Sequence, residues 1–394
     1  MRPMIAHARE GVVTHGMEAG LTAPDWPQLV PGELEELARQ VPAMQGPIRL
    51  LWHSPRPFSA AARVQTARGE LFVKRHYAGV RDVASLLEEH RFLDHLRARA
   101  IPVPMVIADG ANCTAVAMDR WTYEVHALAP GVDAYRDAHS WTPVRSFGHA
   151  RALGRALAQM HLAAVGFNAP ARSPRPLMAS FDIVGAEVLA DALEGFVAQR
   201  PAVVRFLGAF NWRDEILGAL GPLHEALRPL LPELDALWVH NDWHASNLFW
   251  SDAGADAQVR AIIDFGLCNR GLAVVDLATA LERNTVAWLD LDGDPREAGG
   301  AIGRVPLAQA VLDGYCAVRA LRPAERQALP LLMPLAHVEY ALSEVDYFHG
   351  ILANAHNARL AYPNFLLGHV RWFGGRHGRD YLAGLRGWLR SGRA

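Results

Sequence analysis

The sequence predicts an α+β protein of two lobes, a small β-rich N-terminal lobe and a large, mostly helical C-terminal lobe. Three observations predict it. Alternating and β-branched runs crowd the first third of the chain. A break at Pro130-Gly131 follows, and beyond it the apolar residues recur with helical spacing. One stretch interrupts those helices, with short strands expected at 248–250, the end of the segment HNDWHASNLFW, and at 259–264. At 394 residues, 51% hydrophobic and 20% charged, the chain has enough apolar surface for two such lobes.

Residues 1 to about 25 read as a weakly ordered segment. PGELEELARQ begins a helix, with Pro31 and Gly32 at its entry. From about 47 to 76 the sequence reads as strands, PIRLLWH and then AARVQTARGELFVKRH, with Ala67, Arg68 and Gly69 turning a hairpin. A helix is expected over about 81–99, and VPMVIADG and CTAVAMDRWTYEVHALAPG supply further strands. The first lobe is therefore placed at 26–127 and the second at 128–394. In the second, SFGHARALGRALAQMHLAAVGF is helical, followed by helices near 186–199, 213–230, 306–320 and 324–350. No internal repeat or low-complexity tract is evident.

A net charge of −2 gives no basic excess for nucleic acid, and no apolar run reaches the length of a membrane span. The first twenty residues lack the continuous apolar core of a signal peptide. Cys113, Cys268 and Cys316 are scattered without metal or redox spacing, so a reducing cytoplasm is the expected location. Cys268 is expected to be a small buried residue. No obligate protein partner is inferred.

The segment from His240 places a His, an Asp and an Asn as H-x-D-x-x-x-x-N, and Asp264 opens a DFG triplet on an apolar run downstream. That layout belongs to ATP-dependent phosphoryl transfer, a reaction that needs charges held in place more than covalent help. Asp242 is expected to accept or orient the proton of an acceptor hydroxyl. Asn247 and Asp264 are expected to hold Mg2+, a hard cation that favours oxygen ligands. His240 is expected to tie the loop to the core. Lys74, in LFVKRH, is the single lysine among 39 Lys plus Arg. A compact ammonium kept where every other such position is arginine suits a slot between phosphates, which a planar guanidinium does not fill in the same way. The alternative is a solvated lysine at a strand end. Kinase-like enzymes hold such a lysine with a helix glutamate, for which Glu89 is the candidate and Glu88 the alternative.

Together these segments resemble the aminoglycoside phosphotransferase and choline kinase superfamily, in the branch with homoserine kinase-like bacterial phosphotransferases. The resemblance spans roughly residues 45–350. HNDWHASNLFW with its second histidine, His244, resembles the catalytic stretch; IDFG followed by VVDLA resembles the metal-binding stretch and the helix after it; LGRALAQMHLA, ending in His161, and YEVHALAPG are also similar. It implies a protein-kinase-like fold that binds ATP and a hydroxyl-bearing small molecule. Backbone groups of the Tyr123–Leu128 hinge, with Glu124, Val125 and His126, would meet adenine. Asp276 would brace the catalytic loop. The phosphate-covering hairpin falls on SPRPFSAAARV, where Ser59, Ala60 and Ala61 are small but glycine is absent. Trp243 is bulkier than usual at its position and is expected either to shape the acceptor pocket, for which His244 is also a candidate, or merely to pack.

Glu339, Ser343 and Asp346 stand at helical spacing on one face. A charged stripe usually faces water, and a solvated face is the expectation; Glu339 and Asp346 are otherwise candidates to receive an amine-bearing acceptor. Asp290, Asp292 and Asp294 imitate the start of a calcium loop without its downstream glutamate and are assigned to a loop. The acceptor is expected to be an aminoglycoside, amino alcohol, hydroxy amino acid or sugar. Two other functions compete. A protein kinase of this fold needs a long activation segment, but nine residues separate Gly266 from Asp276. A nucleotide-binding pseudokinase would have lost a charged catalytic residue, and Lys74, Asp242, Asn247 and Asp264 are all retained.

Overall fold

Strict alternation in the first third of the chain builds an antiparallel sheet, and its two faces are put to different uses. The computed structural model describes residues 24–290 and 301–391, together with the backbone of two paired two-residue strands, β1 (Val12–Val13) and β2 (Leu21–Thr22). Most of the segment expected to be weakly ordered, and Asp292 and Asp294, lie outside the described residues; Asp290 ends a short 3-10 turn from Trp288. The chain forms two units, Met1–Leu86 with Val106–Leu128, and Leu87–Met105 with Ala129–Ala394. The second half of the helix expected over 81–99 thus belongs to the second unit.

In the first unit, helix α1 (Pro31–Gln40) precedes β3 (Arg49–His53), β4 (Ala60–Thr66) and β5 (Gly69–Tyr77). Helix α2 (Val83–Arg97) leads away, and β6 (Val116–Met118) and β7 (Trp121–Ala127) complete the sheet in the order β3-β4-β5-β7-β6. The β4–β5 hairpin closes where predicted, with Gly69 at φ +123°, a value that residues bearing Cβ rarely adopt. Ala62, Val64, Val73, Tyr123 and Val125 share one face and pack with Leu34 and Leu37 of α1. Arg75, on that face, pairs with Glu33 of α1 at 2.7 Å. Lys74 therefore points to the opposite face. The expected strand VPMVIADG is reduced to an isolated bridge between Val106 and His126, since Pro102 and Pro104 remove ladder donors just before it.

The second unit holds α3 (Phe147–Ala164), α4 (Leu189–Ala198), α5 (Pro201–Leu207) and α6 (Trp212–Leu227). Two antiparallel ribbons follow: β8 (Ala236–Val239) pairs with β11 (Asn269–Leu272), and β9 (Leu248–Trp250) with β10 (Val259–Ile262). Then come α7 (Ala273–Thr285), α8 (Val305–Cys316), α9 (Pro323–Leu332), α10 (Val338–Val345), α11 (Ala355–Arg359), α12 (Leu367–Gly374) and α13 (Arg376–Arg390). The single helix expected over 324–350 is instead α9, α10 and a π-helical turn at Asp346–Ile351, with Pro330 and Pro334 at the first break. Strands β8 and β11 were not anticipated. Ser146 caps α3, its hydroxyl accepting from the His149 N–H at 3.0 Å. Helices α3 and α8 approach closely at two glycines: a Cβ on Gly154 would stand 2.0 Å from the Val311 carbonyl oxygen, and one on Gly314 2.0 Å from that of Arg151. That contact sets His161 of α3 against Tyr315 of α8. Among the described residues no helix is long and apolar enough to cross a membrane.

Candidate active site

The two ribbons of the second unit suspend the segment His240–Asn247 between β8 and β9. Its shape is set by one carboxylate. Asp276, wholly buried on the first turn of α7, accepts from the backbone N–H groups of His240 at 2.9 Å and Asn241 at 2.8 Å, while His161 Nε2 lies 3.1 Å away. Burial opposes its charge, but the His161 hydrogen bond and the one from the His240 backbone N–H outweigh it and hold the carboxyl below its ordinary range. Asn241 takes φ +63°, the left-handed conformation that Asn tolerates, and its side chain donates to the Leu267 carbonyl at 3.0 Å. Asp276 thus meets the entry to this segment through two backbone amides.

His240 is fully buried and joins three parts of the site. Nε2 faces the Ile263 carbonyl at 3.0 Å, and Nδ1 accepts from the Asp242 N–H at 3.2 Å. A carbonyl only accepts, so Nε2 carries the proton and the ring is neutral, in line with burial pushing its pKa down. Asp242 follows with a side chain 20% exposed. Asn247 Nδ2 donates to the Asp242 carbonyl at 2.9 Å and to its Oδ2 at 3.0 Å, and Arg283 of α7 forms an ion pair with Oδ1. His244 Nε2 lies 3.6 Å from Oδ2, while its Nδ1 is hydrogen-bonded to Ser246 Oγ at 2.8 Å.

Because Asn247 commits its Nδ2, its remaining amide atom is an oxygen. The β9–β10 ribbon pairs Leu248 with Ile262, and the Ile263 N–H donates to the Asn247 carbonyl at 3.0 Å. Asn247 and Asp264 are thereby brought to the same end of one ribbon. Asp264 adopts φ +60° before the turn Phe265–Leu267. An amide oxygen and a carboxylate form an oxygen-only donor set of the type Mg2+ takes, so these residues fit the ion.

Arg283 was not singled out in the sequence. It is 2% exposed and its guanidinium stands 4.8 Å from the Trp141 ring centre and 5.7 Å from that of Tyr340. Burial pushes it down to about 10, so it is charged at neutral pH. Asn284, next on α7, donates to the Trp243 carbonyl and accepts from the Ala245 N–H at 2.9 Å. Glu282, Arg283, Asn284 and Thr285 form a run of four polar residues at the end of AVVDLATALERNT, a helix with only Asp276 and Thr279 polar before it, and that signal was available. Arg172 was also missed. It donates to the Gly266 and Cys268 carbonyls at 3.1 Å each and faces Glu88 at 3.5 Å and Glu89 at 3.9 Å, linking the stretch after Asp264 to the middle of α2. Cys268 is buried, as expected.

Several acceptor candidates are corrected. Trp243 is fully buried and packs edge-on against His240, so it is a core residue. Glu339 is neither solvated nor available to an acceptor. It is 3% exposed and accepts from the Ser180 hydroxyl and from the N–H groups of Asp182 at 2.9 Å, Ile183 at 2.6 Å and Val184 at 3.0 Å. Ser343, 1% exposed, accepts from the Met178 N–H at 2.8 Å. The stripe expected to face water therefore anchors a packed loop, whose buried backbone donors require partners. Asp346 is partly buried beside the charges of Arg200 and Arg205, and burial raises its pKa.

In the first unit Lys74 meets a carboxylate of the same sheet. Register sets it opposite Glu124 of β7, and Nζ lies 3.7 Å from Glu124 Oε1. Glu124, 1% exposed, also accepts from His76 at 2.9 Å and His126 at 2.8 Å. Burial opposes its charge, and His126, Lys74 and His76 overcome this, holding it well below the ordinary carboxylate range. The side chains of Glu124 and His126 thus belong to a charge cluster. Of the backbone groups expected to meet adenine, the Val125 carbonyl accepts from the Ile107 N–H at 2.7 Å. Ser59 ends the loop between β3 and β4, and Ala60, 7% exposed, opens β4. The Ser54 N–H donates to the Ala61 carbonyl at 2.7 Å and closes that loop.

A family model described as "Phosphotransferase enzyme family" matches residues 58–327. A homoserine kinase of Methylobacterium sp. (strain 4-46) is 31% identical over 267 residues, covering 65% of this chain and 68% of that protein. Among solved structures, a microcompartment-associated aminopropanol kinase superposes with a TM-score of 0.54 at 17% identity, over 87% of this chain and 94% of that one. An amicoumacin kinase, solved with AMP-PNP and Ca2+, gives a TM-score of 0.52 at 16% identity, over 83% and 92%.

Proposed function

Because the chain belongs to the phosphotransferase enzyme family, we propose that it moves the γ-phosphoryl group of ATP to the hydroxyl of a small molecule, with a hydroxy amino acid of the homoserine type the first acceptor to test. The fold is that of this family's kinases, and the enzyme is a kinase acting on a hydroxyl. The observation that carries the proposal is the setting of Asp242, whose carboxylate is held by Asn247 and Arg283 and still reaches solvent. An acid so fixed is ready to orient an acceptor hydroxyl and take its proton as the phosphoryl group arrives.

The other roles follow from charge and position. Lys74, on the sheet face away from α1, supplies an ammonium to nucleotide phosphates, with Ser59 and Ala60 at the turn proposed to cover them. Glu89 is the carboxylate that resemblance pairs with Lys74. Nucleotide binding is assigned to the first unit and acceptor binding to the second. Asp264 and Asn247 would hold magnesium, which when bound neutralises phosphate oxygens. The amicoumacin kinase bound to AMP-PNP and a divalent ion supports nucleotide and metal use. The segment between Gly266 and Asp276 is folded into β11 and the start of α7, and this argues against a protein kinase, which docks peptides on a long loop there.

The test is a coupled ADP-release assay with ATP and magnesium across homoserine, other hydroxy amino acids, amino alcohols, sugars and aminoglycosides. One acceptor class should stimulate turnover. Asp242→Ala should lower that turnover by about 10²–10⁴-fold while the thermal shift produced by ATP remains. Full turnover in Asp242→Ala would refute the assignment.

A further inference from the structure

Three helices of the second unit bring together groups that phosphoryl transfer does not use. Glu282 lies on α7, His337 immediately precedes α10, and His369 lies within α12. None is more than 2% exposed. His369 Nδ1 stands 2.7 Å from Glu282 Oε1, and His337 Nδ1 stands 3.5 Å from the same oxygen. The other nitrogen of His337 faces the Leu366 carbonyl at 3.3 Å. That carbonyl can only accept, so Nε2 carries the proton and Nδ1 turns a lone pair toward the carboxylate. Neither His337 Nδ1 nor Glu282 Oε2 has a hydrogen-bond partner. Lone pairs facing one another in a dry interior are unfavourable unless a cation or a proton lies between them.

The surroundings hold these groups in that arrangement. Trp288 stacks on the His369 ring at 3.6 Å between centres and 9° between planes, and Phe365 stacks on His337 at 4.9 Å and 25°. Ring nitrogen lone pairs lie in the ring plane, so these stacks keep both aimed at Glu282. A histidine oriented by a hydrogen bond from its second nitrogen to a backbone carbonyl is the usual support of a metal ligand.

We propose that Glu282, His337 and His369 form a buried binding site for a divalent transition metal of the zinc class. Their ligand atoms all lie within 4.8 Å of one another. Tetrahedral zinc, with bonds of about 2.0–2.1 Å, sets its ligand atoms roughly 3.4 Å apart. The 3.5 Å separation of His337 and Glu282 already matches, and the 2.7 Å contact to His369 must open by about 0.7 Å. Two imidazoles and one carboxylate favour zinc over magnesium, so this site and the oxygen-only pair Asn247 and Asp264 select different ions. The competing occupant is a proton. Burial raises Glu282 to about 7 and lowers His337 to about 4, with His369 also well below its usual value. A metal here ties α7, α10 and α12 together beside Arg283, the residue that reaches Asp242.

The test uses the full chain, purified without an affinity histidine tag and exposed to zinc, with metal content measured by mass spectrometry. About one equivalent should remain after desalting. Cobalt substituted into the chelator-stripped protein should give visible d–d absorption, retained in Asp264→Asn and lost in Glu282→Gln and His369→Gln. A cobalt spectrum unchanged in those two variants overturns the proposal, as does less than about a tenth of an equivalent of zinc in the wild-type protein. Should the variants fail to fold, the wild-type chain decides alone: zinc, and not magnesium, should raise its Tm by several degrees (~3–8 °C) and a chelator should reverse the rise. No shift means that the cluster holds only a proton.

Discussion

Two buried carboxylates, Glu124 in the first unit and Asp276 in the second, solve the same electrostatic problem with different partners. Both are almost without solvent, and both are held below the ordinary carboxylate range. Glu124 is surrounded by side chains: His76, His126 and Lys74. Asp276 meets one side chain, His161, and two backbone amides. The consequence differs accordingly. A carboxylate bonded to side chains positions a charge, here the Lys74 ammonium. One bonded to successive amides positions a stretch of main chain, here the entry to the loop that carries Asp242.

The comparison makes predictions of decreasing size. Asp276→Ala should be the most damaging, because it leaves the His240 and Asn241 amides and Nε2 of His161 unpartnered in the core; urea denaturation should show a loss of about 3–5 kcal/mol. An unchanged midpoint would mean that the loop holds its shape without the carboxylate. Lys74→Arg should leave stability near that of wild type and lower kcat/KM by about 10²-fold, since the pocket beside Glu124 holds a compact ammonium and a planar fork places its charge elsewhere. Equal steady-state kinetics in the two proteins would remove Lys74 from the phosphate site. Glu124→Gln should act chiefly on nucleotide affinity, raising KM for ATP by about tenfold, the loss of roughly one charge-assisted contact. A larger effect on folding than on KM would place Glu124 with Asp276 as a structural brace.

The smallest effect is the pH dependence. Both carboxylates have depressed folded-state pKa values, so the stability that each contributes is fully present above the unfolded value of about 4 and is lost as pH falls through the folded one. The stability gap between wild type and Glu124→Gln should therefore stay level through neutral pH and close below about pH 4. A gap that widens on acidification would reverse the sign of the argument.

Much of this was legible in the sequence for reasons that are local. Alternation in AARVQTARGELFVKRH specified the hairpin and put Lys74 on the face opposite Val73, because side chains on a strand alternate. The spacing from His240 to Asn247 and the triplet at Asp264 marked one tight loop and the ribbon end beside it. The helix α7 could be anticipated only through resemblance, since a helix buried on every side shows no amphipathic stripe. The polar stripe at Glu339, Ser343 and Asp346 was misread for a related reason. Its spacing gives a helix face, but nothing in the spacing says whether that face meets water or the amides of residues 178–184.

The sequence alone thus determined which chemistry-bearing residues exist and which of them share a strand, a turn or a loop, because those relations depend on backbone geometry over a few residues. Only the tertiary structure decided the partners: Glu124 for Lys74, Arg283 for Asp242, Arg172 for Glu89, and Asp276 for the amides of the loop. Such pairs join residues far apart in the chain. They are set by which faces pack together and by the requirement that a charge removed from water find its complement there.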